Sequence, residues 1–143
     1  MKLQDYLSQG HPLVFDGAMG TYYNSLPGRA GARCELASIE HPEEILSIHR
    51  AYLDAGAKAI KTNTFALGSA LGGEHEEDEI TLLRAACRLA KEAAAPYEAF
   101  VFADIGPAPL NGILSLPNAI AVWPNSFWKR GSLIFCWKPS PPI

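Results

Sequence analysis

Ala59-Ile60-Lys61-Thr62-Asn63-Thr64-Phe65 begins apolar and ends in a cluster of hydroxyl and amide side chains. A short run of this kind reads as a buried strand whose C-terminal tip is exposed to a ligand or a loop. Two other segments share the pattern. Leu13-Val14-Phe15-Asp16 lies before it and Phe100-Val101-Phe102-Ala103-Asp104 after it, each apolar and closed by a carboxylate. Asp16 to Thr62 is 46 residues and Thr62 to Asp104 is 42, so the unit repeats at nearly constant length.

Between the strands the spacing predicts helices. One begins near His41 with Pro42 at its first position and Glu43 and Glu44 in its first turn, where the helix dipole favours them. Ile45, Leu46, Ile48, Tyr52 and Leu53 supply its apolar stripe, and Gly56 is the residue expected to end it. The segment from Asn24 through Pro27, Gly28 and Gly31 is rich in turn formers and reads as loop. Gly68, Gly72 and Gly73 mark another loop. The acidic run Glu74–Glu79 then reads as the solvated start of a second helix, with Ile80, Leu83, Cys87, Ala90 and Ala94 on one face and a break near Pro96. Strand–helix–strand–helix–strand alternation implies parallel strands joined by right-handed crossovers. Ligands in such folds bind at the C-terminal ends of the strands. Asp16, Thr62, Asn63 and Asp104 are therefore expected around one pocket.

The expected fold class is α/β, an incomplete (β/α)8 TIM barrel. Closing such a barrel takes eight units and roughly 250 residues, and three strands are legible here. Residues 1–104 hold all 15 acidic residues and nine of the 12 basic ones, a formal charge of −6, whereas 105–143 contain no Asp or Glu and seven of the 11 prolines. The reading places the N-terminal part of a barrel domain at 1–108 and an aberrant or disordered tail at 109–143, with no fourth strand that ends in a polar tip.

Composition narrows the function. A net charge of −3 leaves no footprint for nucleic acid. No stretch approaches the roughly 20 apolar residues that span a bilayer. Three widely spaced cysteines, Cys34, Cys87 and Cys136, argue against a disulfide framework and for a cytoplasmic protein. His75-Glu76 lacks a second histidine at position 79, so the HExxH metalloprotease pattern fails. Mid-helix His49 reads as a packing or surface residue. Asp16-Gly17-Ala18-Met19-Gly20 also allows a doubly wound domain that binds a nucleotide or S-adenosylmethionine, although the G-x-G-x-x-G spacing is missing.

Asp16-Gly17-Ala18-Met19-Gly20-Thr21 resembles the homocysteine S-methyltransferase family. The likeness continues through Cys34-Glu35-Leu36-Ala37, Ile48-His49, Ala55-Gly56-Ala57 and Thr62-Asn63-Thr64-Phe65 to Asp104-Ile105-Gly106-Pro107, covering about residues 3–108. The resemblance implies zinc-dependent methyl transfer to the homocysteine thiol, giving methionine. It leaves the methyl donor open, a methylfolate being one option, with a folate or reductase module downstream in the intact protein. A thiol attacks as its thiolate, which zinc coordination supplies. In the family three cysteines hold that metal, a lone one and an adjacent pair, and this sequence has no Cys-Cys pair. No metal ligand is assigned, and the chain reads as a truncated fragment without activity of its own. The resemblance leaves a substrate-holding half: Asp16 for the ammonium of the amino acid, the Gly17–Thr21 turn for its carboxylate, and Thr62 for a neutral hydrogen bond. Asn63 and Asp104 either touch the ligand or brace the strand-end loops.

Overall fold

A computed structural model describes residues 1–67, 76–106 and 133–136. In chain order the elements are α1 (Leu3–Ser8), α2 (Met19–Ser25), α3 (Ala37–Glu40), α4 (Pro42–Asp54), β1 (Ala59–Lys61), α5 (Glu76–Ala94), β2 (Phe100–Ile105) and β3 (Leu133–Cys136). A one-turn 3-10 helix, Ala95–Tyr97, closes α5 where Pro96 stops it. The strands form one parallel sheet in the order β1-β2-β3, with Ala59 opposite Phe100 and Phe102 opposite Leu133.

The first expected strand is reduced to a single parallel bridge, Phe15 to Ala59. Its ladder breaks because the Val14 carbonyl accepts from both Lys58 N–H (2.8 Å) and Ala59 N–H (3.0 Å), so two residues of one side face one of the other. The second strand is also shorter than 59–65. Thr64 N–H turns back onto Thr62 O at 2.9 Å and ends the extended run. The third is found where expected, one residue longer. A further strand, Leu133–Cys136, lies within the segment read as a tail, and it lacks the polar C-terminal tip of the other strands. Expected features at 68–75, 107–132 and 137–143 lie outside the described residues. Counting the Phe15 bridge, lateral order follows chain order with no reversal among the described strands. That order lacks the switch point of a doubly wound sheet and disfavours the rival reading.

Side-chain alternation gives the sheet two unlike faces. Ile60, Val101, Ala103 and Ile105 enter the main core with Ile45, Ile48, Leu83 and Leu89 of α4 and α5. Ala59, Phe100 and Phe102 enter a smaller cluster with Phe15, Leu13 and the α1 residues Leu3 and Tyr6. The Phe15 and Phe102 rings lie 4.8 Å apart there.

Helix α4 follows its sequence pattern, with Pro42 at its start and Gly56 left-handed (φ 102°) beyond its end. Arg29 clamps it through two bonds to Glu44, 2.8 and 2.9 Å. Two expectations need correction. Glu79 is buried rather than solvated, because it shares the inward face of α5 with Leu82, Leu83 and Ala86. The Asn24 region is not all loop: Met19–Ser25 is helical despite poor helix formers, and the Asn24 amide holds it by donating to Gly20 O (2.9 Å) and Ala32 O (3.1 Å). No helix among the described residues is long and apolar enough to cross a membrane.

Candidate functional site

A cavity of about 330 Å³ opens at the C-terminal ends of β1 and β2, and Asp16, Gly17, Thr62, Asn63 and Asp104 all line it. The Gly17–Thr21 turn closes one side, Cys34 and Glu35 another, and Lys61 and Phe65 the rest. The volume is at the small end of ligand pockets, roughly 300–1,000 Å³, and suits a ligand of amino-acid size.

Asp16 is paired from within the protein. Its Oδ2 accepts the Lys61 backbone N–H at 2.9 Å, its Oδ1 pairs with Lys61 Nζ, and Nζ also donates to the Asp16 carbonyl at 3.3 Å. Burial nonetheless pushes its carboxyl above the usual range, against the opposing pull of Lys61.

Thr62 works as a clamp. The Asp104 N–H donates to Thr62 Oγ1 (3.1 Å), and the Thr64 hydroxyl donates to Asp104 O (2.6 Å). The two hydroxyl oxygens lie 2.7 Å apart. With the Thr64 proton committed to Asp104, Thr62 must be the donor of that bond and can only accept from a ligand. Asn63 is a brace. Its amide donates to Cys34 O (2.6 Å) and Ser38 Oγ (3.0 Å), tying the β1 tip to the loop before α3. Glu35 accepts Ala66 N–H at 3.2 Å. The Asp104 carboxylate has no protein hydrogen bond among the described residues, and it is only 9% exposed. Desolvation lifts it to about 6; Lys61 opposes this, and Asp16 and Glu35 add to it.

The glycine of the turn has a steric reason. A Cβ on Gly17 would lie 2.7 Å from Tyr52 Oη, whose hydroxyl donates to Ala18 O (3.2 Å) and whose ring stands edge-on to Tyr22. Gly106 is tighter still, with room for no Cβ beside the Phe65 carbonyl.

A sequence profile described as Homocysteine S-methyltransferase matches residues 13–120, most of the chain and past the expected end of the barrel portion at 108. The chain belongs to the homocysteine S-methyltransferase family. It is 35% identical over 119 residues to the methionine synthase of Mycobacterium tuberculosis, an alignment covering 73% of this chain and 10% of that protein. Its fold is similar to the crystal structure of the homocysteine methyltransferase MmuM from Escherichia coli in its metallated form, with a TM-score of 0.59 and 24% identity. That superposition covers 71% of this chain and 40% of the other. The chain thus spans well under half of either relative.

The zinc that the family implies does not fit the described residues. None of them form a group of three or more potential ligands for a metal ion. Cys34 is the one cysteine among those lining the cavity, and burial beside Glu35 pushes its thiol up to about 12. Cys87 is likewise held at about 12, inside the helix–sheet core. Neither is a ready thiolate.

Lys61 is the site residue that sequence reading missed. Its signal was present, a lone lysine inside an apolar strand, which needs a partner if it is to be buried. His49 is a packing residue, as one of its two readings had it. It is fully buried on α4, and neither ring nitrogen has a hydrogen-bond partner among the described residues. Desolvation, helped by Lys61, lowers it to about 4.

His49 and Asp104 pull stability in opposite directions. The folded His49 binds its proton less readily than the unfolded one, so its contribution is present above 6.5 and is lost as pH falls toward about 4. Folded Asp104 holds its proton up to about 6, so its contribution is present below 3.8 and lost as pH rises through about 6. Chemical denaturation across this range is expected to show His49→Leu losing stability with rising pH relative to the parent, and Asp104→Asn gaining it. Each difference has a limiting slope of about 1.4 kcal/mol per pH unit. Parallel curves for all three proteins would refute the assignment.

Proposed function

We propose that this chain is the homocysteine-binding portion of a homocysteine S-methyltransferase, built on the first strands of a (β/α)8 barrel. The observation that carries the reading is convergence: Asp16, Lys61, Thr62 and Asp104, from separate strand ends, face one cavity of amino-acid size. Three carboxylates around a single ammonium favour a ligand that brings a positive charge, as an α-amino acid does. Thr62 clamps the two strand tips, Asn63 fixes the Cys34 loop, and the Gly17–Thr21 segment, which leads into α2, offers its backbone N–H groups along one wall of the cavity.

In methyl transfer the S–CH₃ bond forms as the donor's bond to its methyl breaks, and the thiol proton leaves. The described residues of this chain bind and orient the amino acid; no thiol-activating step is routed through them. In this reading the setting is cytoplasmic, and the methyl donor, a methylfolate being one option, is presented by a module outside the homocysteine-binding portion.

Isothermal titration of L-homocysteine in chelating buffer tests the reading, with S-adenosylmethionine as the comparison ligand. One homocysteine per chain, bound without added zinc, is expected. Absence of homocysteine binding, or preference for the adenosyl ligand, would overturn it.

A further inference from the structure

Tyr52 has the spacing of a core residue of α4, yet its ring packs against Gly17, in the Gly17–Thr21 wall of the cavity. A Cβ on Gly17 would meet three atoms of that side chain, Oη, Cε1 and Cζ, at 2.7, 2.8 and 2.9 Å. The Tyr52 hydroxyl donates to Ala18 O at 3.2 Å, and the ring stands edge-on to Tyr22 with centroids 5.7 Å apart. One side chain from a neighbouring helix thus braces the wall from behind without itself lining the cavity.

The wall has two unlike sides. Its carbonyls are tied back: Ala18 O accepts from the Tyr52 hydroxyl and from Tyr22 N–H (3.3 Å), and Gly20 O accepts from the Asn24 amide (2.9 Å). The N–H groups of Gly17 to Thr21 have no acceptor among the described residues, and all five residues line the cavity. In a trans peptide the C=O and the following N–H point opposite ways. A donor that holds Ala18 O therefore also fixes the direction of Met19 N–H. The start of the segment is fixed by Asp16, whose N–H donates to Ala59 O and whose Oδ2 accepts Lys61 N–H, both at 2.9 Å. Its end is fixed by Asn24. Between those anchors, Tyr52 is the one side chain among the described residues that hydrogen-bonds the segment.

We propose that Tyr52 is a positioning residue for the carboxylate of the amino acid: its hydroxyl, by holding Ala18 O, and its ring, by filling the space against Gly17, keep the N–H groups of the wall aimed at the ligand. The inference rests on the homocysteine reading and adds to it a residue outside the cavity lining. It also gives glycine at position 17 a functional reason, since any Cβ there would push the brace away.

Calorimetric titration of the parent, Tyr52→Phe and Tyr52→Leu with three thiols tests the assignment: L-homocysteine, mercaptobutyrate (no ammonium) and aminopropanethiol (no carboxylate). Tyr52→Phe keeps the ring and loses one hydrogen bond, so it is expected to weaken homocysteine and mercaptobutyrate about fivefold and to leave aminopropanethiol unchanged. Tyr52→Leu removes the ring as well and should weaken the same two further. Should the leucine variant fail to fold, Tyr52→Phe carries the test alone, its folding checked by thermal melting. A loss on aminopropanethiol as large as on the other two would mean a role in the fold only and overturn the proposal. So would a Tyr52→Phe protein that binds all three thiols as the parent does, and this outcome would leave the homocysteine reading standing. A parent protein that binds no homocysteine would overturn both.

Discussion

Replacing Lys61 with methionine is expected to destabilise the protein by about 3 kcal/mol near neutral pH. Methionine keeps the unbranched stem, so the loss is that of the ammonium rather than of packing. What remains is a carboxylate, Asp16, whose side chain is 2% exposed and whose one surviving partner of those described is the Lys61 backbone N–H at 2.9 Å. Burial already pushes this carboxyl up with Lys61 present. Without Lys61 it rises further, and a raised carboxyl contributes stability that is lost as pH increases through its folded value. The deficit should therefore shrink on acidification. The companion substitution Asp16→Asn in the same protein should restore most of the loss, since it removes the unpaired charge instead of leaving it buried. Urea denaturation of the two single variants, the double variant and the parent measures the coupling. A Lys61→Met protein as stable as its parent at neutral pH would show that the pair is not buried in solution.

Gly106→Ala is expected to cost about as much, on the order of 3 kcal/mol, for a reason of shape. A Cβ there would fall 2.2 Å from the Phe65 carbonyl oxygen, inside any tolerable contact. The obstacle is backbone, and it is held in place because Gly106 N–H donates to that same oxygen at 3.1 Å. Retreat of the Phe65 segment would drag Thr64 from Asp104 O and open the clamp at the cavity rim. Homocysteine affinity should fall along with stability. Gly20→Ala is the control: its Cβ meets only Cys34 Sγ at 3.7 Å, and alanine inside α2 is a better helix former than glycine. Thermal melting of both variants should separate them clearly, and a Gly106→Ala protein that melts with Gly20→Ala would refute the close approach.

These two residues show what the sequence could convey. Helices α4 and α5 were legible because their signals are local: Pro42 with two glutamates at one start, an acidic run at the other, and apolar residues at helical spacing. The tip of β2 was legible for the same reason, an apolar run closed by Asp104. The pairing of Lys61 with Asp16 was not, since its partners are 45 residues apart and neither carries a local mark of the other. Gly106 was visible as part of a motif, but the oxygen that forbids a side chain there belongs to Phe65, in the turn beyond β1. Asn63 and Asp104 looked alike in sequence, polar residues at strand tips. Only their partners separate them, because the Asn63 amide is spent on Cys34 and Ser38 while the Asp104 carboxylate is spent on none of the described residues. Strand β3 escaped notice because its four residues have no polar tip, and its pairing with β2 joins segments about 30 residues apart.

Amide chemical-shift mapping with isotope-labelled protein and unlabelled L-homocysteine, in the presence of a chelator, addresses the site most directly. Saturable shifts are expected at residues 16–21, 34–35, 61–65 and 104, which line the cavity. No saturable shifts, or shifts confined to other parts of the chain, would contradict a shared amino-acid pocket at the strand ends.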